Sequence, residues 1–439
     1  MSASLLPLAI LSLLTGIYLY GTRLSSPPLL PFLQTHFTPL LLKLVRTNQK
    51  IMGTIFGHKY ALILRLVECN CLFFYTWVLR NIHLCRFTSE GGVDYFSLVE
   101  PDRVKDSPTI FFIHGGGHTV HTATETLVTL SFKSFQNTNY KFYHCDYPLC
   151  PDSPLSSNLD VIWEDYKRVH DDCDGNIIIM GDSAGGHSSL IMKLRTLKTK
   201  SYPPKGTILI SPWLSVNGPG NVPEFKGKDT DYMDPLAVEA FRHYVRTGGG
   251  EIEGIDSIIK ECIELGGMEE TLILSGGGEL MHFEAVALYL ANPGSEIYTA
   301  VDGPHDFCVS RAFCKPGIFE ECWEIVEEKI NVWTNEWDFV EHEDDYLEIE
   351  DEEEEFGEES EEESEEEEDV EGEYEEVKKY VDGLREKVNR KKKKKKATPK
   401  KATPKKKATK KATPKSRSKS RSKSRSKSRS KSRSKSRSD

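Results

Sequence analysis

Between residues 93 and about 330 the chain alternates short, mainly apolar runs with longer amphipathic ones. The apolar runs Thr109–Ile113, Tyr140–His144, Asn176–Met180, Thr207–Ile210, Thr271–Leu274 and Glu296–Ala300 have strand length. The stretches between them, among them His187–Leu197 and Pro235–Val245, repeat apolar residues at helical spacing. The repeated order strand, loop, helix predicts a mainly parallel sheet with helices on both faces. The pattern assigns residues 93–335 to one α/β domain.

The flanking regions follow other rules. Residues 4–22 carry no charge, and the first cation is Arg23. At about 1.5 Å per residue this tract reaches across a bilayer core of roughly 30 Å, so 1–23 is expected to be a transmembrane anchor. A cleaved signal peptide is the rival; it lacks a basic n-region and a small-residue cleavage site here. Residues 24–92 are rich in Leu, Phe and Tyr, and Pro31–Val45 and Tyr60–Leu79 read as helices with broad apolar faces. Arg65 and Glu68 argue against the second one spanning a membrane, so a helical cap or membrane-surface region is expected. From residue 336 the chain turns acidic, then basic, ending in Ala-Thr-Pro-Lys units and an Arg-Ser-Lys-Ser repeat. Composition of this kind predicts a disordered tail over 336–439, with one short amphipathic segment marked by Tyr374, Val377, Tyr380, Leu384 and Val388.

Charge then limits the partners. The tail holds 30 basic and 30 acidic side chains, which leaves the whole net charge of −11 on residues 1–335. No nucleic-acid groove is expected on the folded part, whereas the basic end of the tail is a candidate for nucleic acid or anionic lipid. Self-pairing of the two tail blocks is the alternative. The ten cysteines show no metal-ligand spacing and are expected to be buried thiols. His118 and His121 lack a partner at ligand spacing, so no metal or other cofactor is expected.

The chemistry lies in three loops. Gly181-Asp182-Ser183-Ala184-Gly185 follows the strand NIIIM and precedes a helical run, the strand–turn–helix setting of a G-x-S-x-G nucleophile elbow. His114-Gly115-Gly116-Gly117 follows the strand TIFFI. Its bare amides, with that of Ala184 at a helix start, are candidates to hold an oxyanion, and His114 to order the loop. Partners of a nucleophilic serine on this topology come in the order acid, then histidine. Of His187, His243, His282 and His305, only His305 sits in a tight loop after a strand, in Gly303-Pro304-His305-Asp306-Phe307. Glu279 follows the strand TLIL in Gly276-Gly277-Gly278-Glu279-Leu280, while Asp302 and Asp306 are the competing acids.

With these motifs, Asp146-Tyr147-Pro148-Leu149 and Ile210-Ser211-Pro212-Trp213, residues 93–330 resemble the hormone-sensitive-lipase group of α/β hydrolases. Within it they are most similar to arylacetamide deacetylases and steryl acetyl hydrolases. The resemblance implies the α/β-hydrolase fold, catalysis by Ser183, Glu279 and His305, and oxyanion amides from Gly115, Gly116, Gly117 and Ala184. It also implies a lipophilic ester substrate, sterol acetates first, and a single-pass setting in the endoplasmic reticulum membrane. Two positions depart from the group: Glu279 stands where Asp is usual, and His118 where an aromatic residue follows the glycines. Competing functions are a general carboxylesterase or lipase, and an inactive hydrolase domain that tethers partners through the tail.

Overall fold

The computed structural model describes residues 38–65, 85–97, 101–104, 106–123, 140–223, 225, 227, 230–250, 252–309, 314–315, 317–334 and 361–397. Eight strands form one sheet: β1 (Cys85–Thr88), β2 (Asp94–Ser97), β3 (Thr109–Ile113), β4 (Lys141–Cys145), β5 (Ile177–Asp182), β6 (Gly206–Ile210), β7 (Thr271–Gly276) and β8 (Glu296–Ala300). Their spatial order is β1-β2-β4-β3-β5-β6-β7-β8. The first two strands are antiparallel to their neighbours, and every pairing from β4 to β8 is parallel.

Successive side chains of a strand point to opposite faces, and the two faces have separate cores. Ile110, Phe112, Ile178, Met180, Ile208, Ile210, Leu272 and Leu274 point one way, onto Phe319, Trp323, Val326 and Ile330 of helix Ile318–Thr334. On the other face Phe111, Ile113, Ile177 and Ile179 meet Ile162, Tyr166 and Val169 of Leu155–Asp172. Further along that face Leu209 and Ile273 meet Leu190 and Leu194 of Ala184–Thr199, with Ile258 and Ile259 of Ile255–Leu265 and Leu288 of His282–Ala291 beyond. Each such side chain contributes about 1.5–3 kcal/mol when fully buried. With Thr38–Phe56 as α1, Leu155–Asp172 as α2, Ala184–Thr199 as α3, Pro235–Thr247 as α4, Ile255–Leu265 as α5, His282–Ala291 as α6, Ile318–Thr334 as α7 and Glu361–Ala397 as α8, the helices follow chain order.

The N-terminal region is placed differently from the sequence reading. Among the described residues the first helix runs Thr38–Phe56, extending beyond Val45, where the expected helix ended; residues 31–37 lie outside the described residues, and residues 59–65 form a separate short helix. Met52 and Phe56 of α1, with Tyr60 and Ala61, pack on Ala237, Val238 and Phe241 of α4 to make a cap layer. The expected anchor over 4–22 and most of the Tyr60–Leu79 segment lie outside the described residues. Among the described residues no helix is long and apolar enough to cross a membrane.

Two further corrections concern cysteine and the tail. Cys308 and Cys322 form a disulfide joining the loop after β8 to α7, with Cα atoms 6.2 Å apart, so these two are not free thiols. In the tail, the amphipathic segment belongs to α8, and its stripe Val377, Val381 and Leu384 is buried against the α5–α6 core. Tyr380 donates to Asp256 Oδ1 at 2.9 Å and Lys391 to Glu264 Oε1 at 3.2 Å. A stripe at i, i+4 and i+7 lies on one helix face, and burial there supplies the apolar contact that the charged sequence on either side lacks. The expectation of disorder therefore does not hold over residues 374–393.

Candidate active site

All the parallel strands present their C-terminal ends at one sheet edge, and the three motif loops meet there. At the end of β5, Ser183 has φ 51° and ψ −116°, a conformation disfavoured for a residue with a side chain and worth about 1–3 kcal/mol of strain. The turn is held from outside: Ser183 N–H donates to Ile210 O at 2.8 Å, and Trp213 N–H to Ser183 O at 3.0 Å. The flanking glycine Gly181 is required by crowding rather than by its own dihedrals. A Cβ there would lie 2.5 Å from Gly185 O and from Ser189 Oγ. At Gly185 it would run into the carbonyl of Ile113.

Ser183 Oγ lies 2.9 Å from His305 Nε2, and His305 Nδ1 lies 2.8 Å from Glu279 Oε2. Glu279 is fully buried, and its other oxygen accepts from Ser275 Oγ at 3.0 Å and Gly276 N–H at 2.9 Å. Because an ionised carboxylate only accepts, the His305–Glu279 bond requires the proton on Nδ1 and leaves Nε2 as acceptor for the Ser183 hydroxyl. Of the competing acids, Asp302 pairs with Lys315, away from the imidazole. Asp306 Oδ2 is 3.4 Å from His305 Nε2, on the serine side rather than the Nδ1 side.

Burial works to lower the His305 pKa, but Asp306, Glu279 and Asp231 together overcome it and raise the imidazole to about 10. Burial also raises the Asp306 carboxyl well above the usual carboxylate range, against the attraction of His305. A neutral Asp306 takes one negative charge away from Nε2, which brings the imidazole down from that value while Glu279 and Asp231 still hold it up. Asp182, beside the serine, is likewise raised to about 6 by burial, with His121 and the Gly115 amide opposing.

The glycine loop divides its work. Gly115 N–H donates to Asp182 Oδ1 at 3.0 Å, so its amide is engaged and the expectation that it faces an oxyanion is corrected. Gly116, at φ 90°, and Gly117, at φ 58°, turn the loop across the strand ends toward Ala184 at the start of α3. These three amides have no protein acceptor among the described residues. His114 stacks on Tyr147 at 4.3 Å between centroids, and its Nδ1 lies 2.9 Å from Gly115 O, while Tyr147 OH donates to His114 O at 2.6 Å. His118 is buried beside His187 and Trp213, where burial drives its pKa far down and keeps it neutral. His243 stacks on His58, and His282 Nδ1 lies 3.0 Å from Ser275 Oγ; neither is part of the Ser183 relay. Among the described residues no group of His, Cys, Asp and Glu is arranged to hold a metal ion.

One buried carboxylate escaped the sequence reading. Asp231 Oδ1 accepts from Met233 N–H at 3.2 Å and His305 N–H at 3.1 Å, and Oδ2 accepts from Leu280 N–H at 3.0 Å. From 49 and 74 positions away in sequence it therefore ties the residue after Glu279 to the histidine loop. No motif marks it.

The fold and this edge define an α/β-hydrolase-fold protein. Residues 110–301 match a family model described as alpha/beta hydrolase fold. Over 179 residues the chain is 28% identical to an esterase of Acinetobacter venetianus, covering 39% of this chain and 57% of that protein. The chain thus spans little more than half the length of that relative. A hormone-sensitive-lipase homologue from a metagenome library shares the fold at 20% identity, with 67% of this chain and 98% of that one covered and a TM-score of 0.50. An esterase of the bacterial hormone-sensitive lipase family does so at 17% identity, 62% and 91% coverage, and a TM-score of 0.50.

Proposed function

We propose that this protein is a serine hydrolase of carboxylic esters. The observation that carries the reading is the unbroken relay from Ser183 through His305 to Glu279, at 2.9 and 2.8 Å, on a strained strand–helix turn. His305 Nε2 takes the serine proton as Oγ attacks the ester carbonyl. The alkoxide-like oxygen that forms is held by the amides of Gly116, Gly117 and Ala184. The imidazolium then protonates the departing alcohol, and a water activated by the same nitrogen releases the acyl group from Ser183. Asp182 serves the loop rather than the substrate, since its carboxylate fixes Gly115.

For substrate, the reading is a short acyl group on a lipophilic alcohol, sterol acetates being the first to test. It rests on the apolar cap layer of α1 and α4, which sits beside the glycine loop through Phe241 and Gly117, and on the uncharged tract over 4–22, which we read as a membrane anchor. The test is turnover of p-nitrophenyl acetate and labelling by a fluorophosphonate. Ser183→Ala is expected to abolish both, and hydrolysis that survives in that variant overturns the nucleophile. A panel with sterol acetate, aryl acetamide and long-chain triacylglycerol decides the alcohol and acyl classes. Cleavage of triacylglycerol without sterol acetate turnover refutes the short-acyl reading.

A further inference from the structure

The outer face of α1 is not explained by the site beneath it. Its inner side is fixed: Met52 and Phe56 enter the cap core, and Gln49 Oε1 accepts from Asp234 N–H at 2.9 Å. On the outer side three aliphatic residues stand in the open, Leu44 at 48%, Ile51 at 51% and Ile55 at 63% exposure. Spaced by seven and four residues, they form one stripe along the helix. Beside that stripe lie the exposed cations Lys43 and Lys50, also seven apart, with Arg46 half-buried behind them. Lys43, Arg46 and Lys50 line a recess of about 710 Å³ with Asp234, Pro235 and Leu236, and Leu236 adds a further aliphatic surface at 43% exposure. No acidic side chain of α1 lies among residues 43–56.

We propose that α1 is an interfacial helix that docks the cap onto an anionic lipid surface. An aliphatic stripe bordered by lysines matches the boundary between headgroups and acyl chains: the isobutyl and sec-butyl groups enter the apolar layer, and the ammonium groups stay at the phosphates. A protein partner would need a groove matching both halves of this face, whereas a lipid surface supplies apolar depth and negative charge together. The uncharged tract over 4–22 precedes α1 by only 15 residues, a distance that keeps the helix close to any membrane holding that tract. Docked in this way, the cap above Ser183 faces the bilayer, where a lipophilic ester resides. The inference shares with the proposed function only its membrane setting and needs none of its chemistry.

The test uses the full chain reconstituted on vesicles of phosphatidylcholine alone, or with phosphatidylserine, and reads lysine acetylation by mass spectrometry. Each basic side chain at an anionic surface favours docking roughly fivefold. Lys43 and Lys50 are therefore expected to react at least about fivefold more slowly on the anionic vesicles. Lys205, exposed at the start of β6 and so at the far edge of the sheet, is expected to react equally on both. The double variant Ile51→Asp, Ile55→Asp is expected to lose the protection and to keep hydrolysis of soluble p-nitrophenyl acetate. Equal reactivity of Lys43 and Lys50 on the two vesicles overturns the proposal. So does protection that persists in the aspartate variant, since a segment of the chain itself would then cover α1. Protection without any esterase activity leaves the docking intact and removes the proposed chemistry instead.

Discussion

Replacing Asp231 by asparagine tests whether the relay is set by a residue that touches no substrate. The carboxylate accepts three backbone N–H groups and lies in the interior, where burial raises its pKa against the pull of His305. Asparagine keeps one acceptor, enough for Met233 and His305 through Oδ1, and turns an amide donor toward Leu280 N–H at 3.0 Å. A buried donor left without a partner costs about 1–3 kcal/mol. Taking about 2 kcal/mol, and placing the disturbance at the residue beside Glu279, kcat falls roughly 30-fold if the site bears all of it. Charge removal adds a second signature. Asp231 helps to raise His305, so its loss lowers the imidazole pKa, and the acid limb of kcat/KM moves to lower pH. The measurements are kcat and KM for p-nitrophenyl acetate between pH 5 and 9, with thermal melting. A lower melting temperature with kcat within twofold of wild type and an unmoved acid limb would refute a positioning role and leave Asp231 as a stability element only.

The wild-type acid limb itself is expected above pH 6.5, because the imidazole must lose its proton to act as base and its carboxylate neighbours raise its pKa from 6.5. A limb below pH 6 contradicts that electrostatic account. Gly117→Ala places a Cβ 2.5 Å from Phe241 Cγ at a φ of 58°. It should lower kcat tenfold or more with little change in KM, by shifting an oxyanion amide about which roughly 100-fold or more turns. Leu384→Ala opens the α5–α6 core and should cost about 3 kcal/mol, seen as a fall of several degrees in melting temperature. Unchanged melting would mean that α8 contributes nothing to the fold.

What the sequence made legible follows from how each feature is encoded. Strands buried on both faces write their own signature, so TIFFI was found to the residue and the core of the strand Ile177–Asp182 was found, its last two residues being read as part of the elbow. Gly-x-Ser-x-Gly is similarly local, since the steric need for Gly181 and Gly185 arises within a few residues of Ser183. The β1–β2 hairpin was missed because its four-residue strands alternate half-buried with exposed or buried positions and carry Arg86 and Asp94. Glu279 could be preferred over Asp306 by its place after a strand and because Asp306 is too near His305 in sequence to reach the far nitrogen easily. The structure separates them by which imidazole nitrogen each one meets. Asp231 was invisible because its partners, Leu280 and His305, are 49 and 74 residues away and offer only backbone amides, which have no sequence identity. The docking of α8 was half visible. Its stripe was read, but its receiving surface on α5 and α6 exists only after folding.

A common device joins the correctly read residues to the missed ones. At this edge two buried carboxylates and one half-buried one bind loops through backbone amides: Asp182 takes Gly115, Asp231 takes Met233, Leu280 and His305, and the half-buried Glu284 takes Leu214 at 2.5 Å and Ser215 at 2.8 Å. An amide donor cannot titrate and costs no mobile side chain, so Asp182 and Asp231 stay in place without a Lys or Arg drawn in beside them, whereas Glu284 also has Arg242 at hand through the shared Ser215 hydroxyl. The arrangement also explains why the loops can meet at all. The oxyanion and acid loops are rich in glycine and would otherwise be free to wander, and these two and the histidine loop are each pinned by a carboxylate from another part of the chain. The oxyanion loop is pinned from the elbow, and the histidine and acid loops from residue 231. Loss of any one pin should therefore disturb the relative placement of two loops more than the internal shape of either. That predicts larger effects on kcat than on the affinity for substrate, and it is the same signature expected of Asp231→Asn.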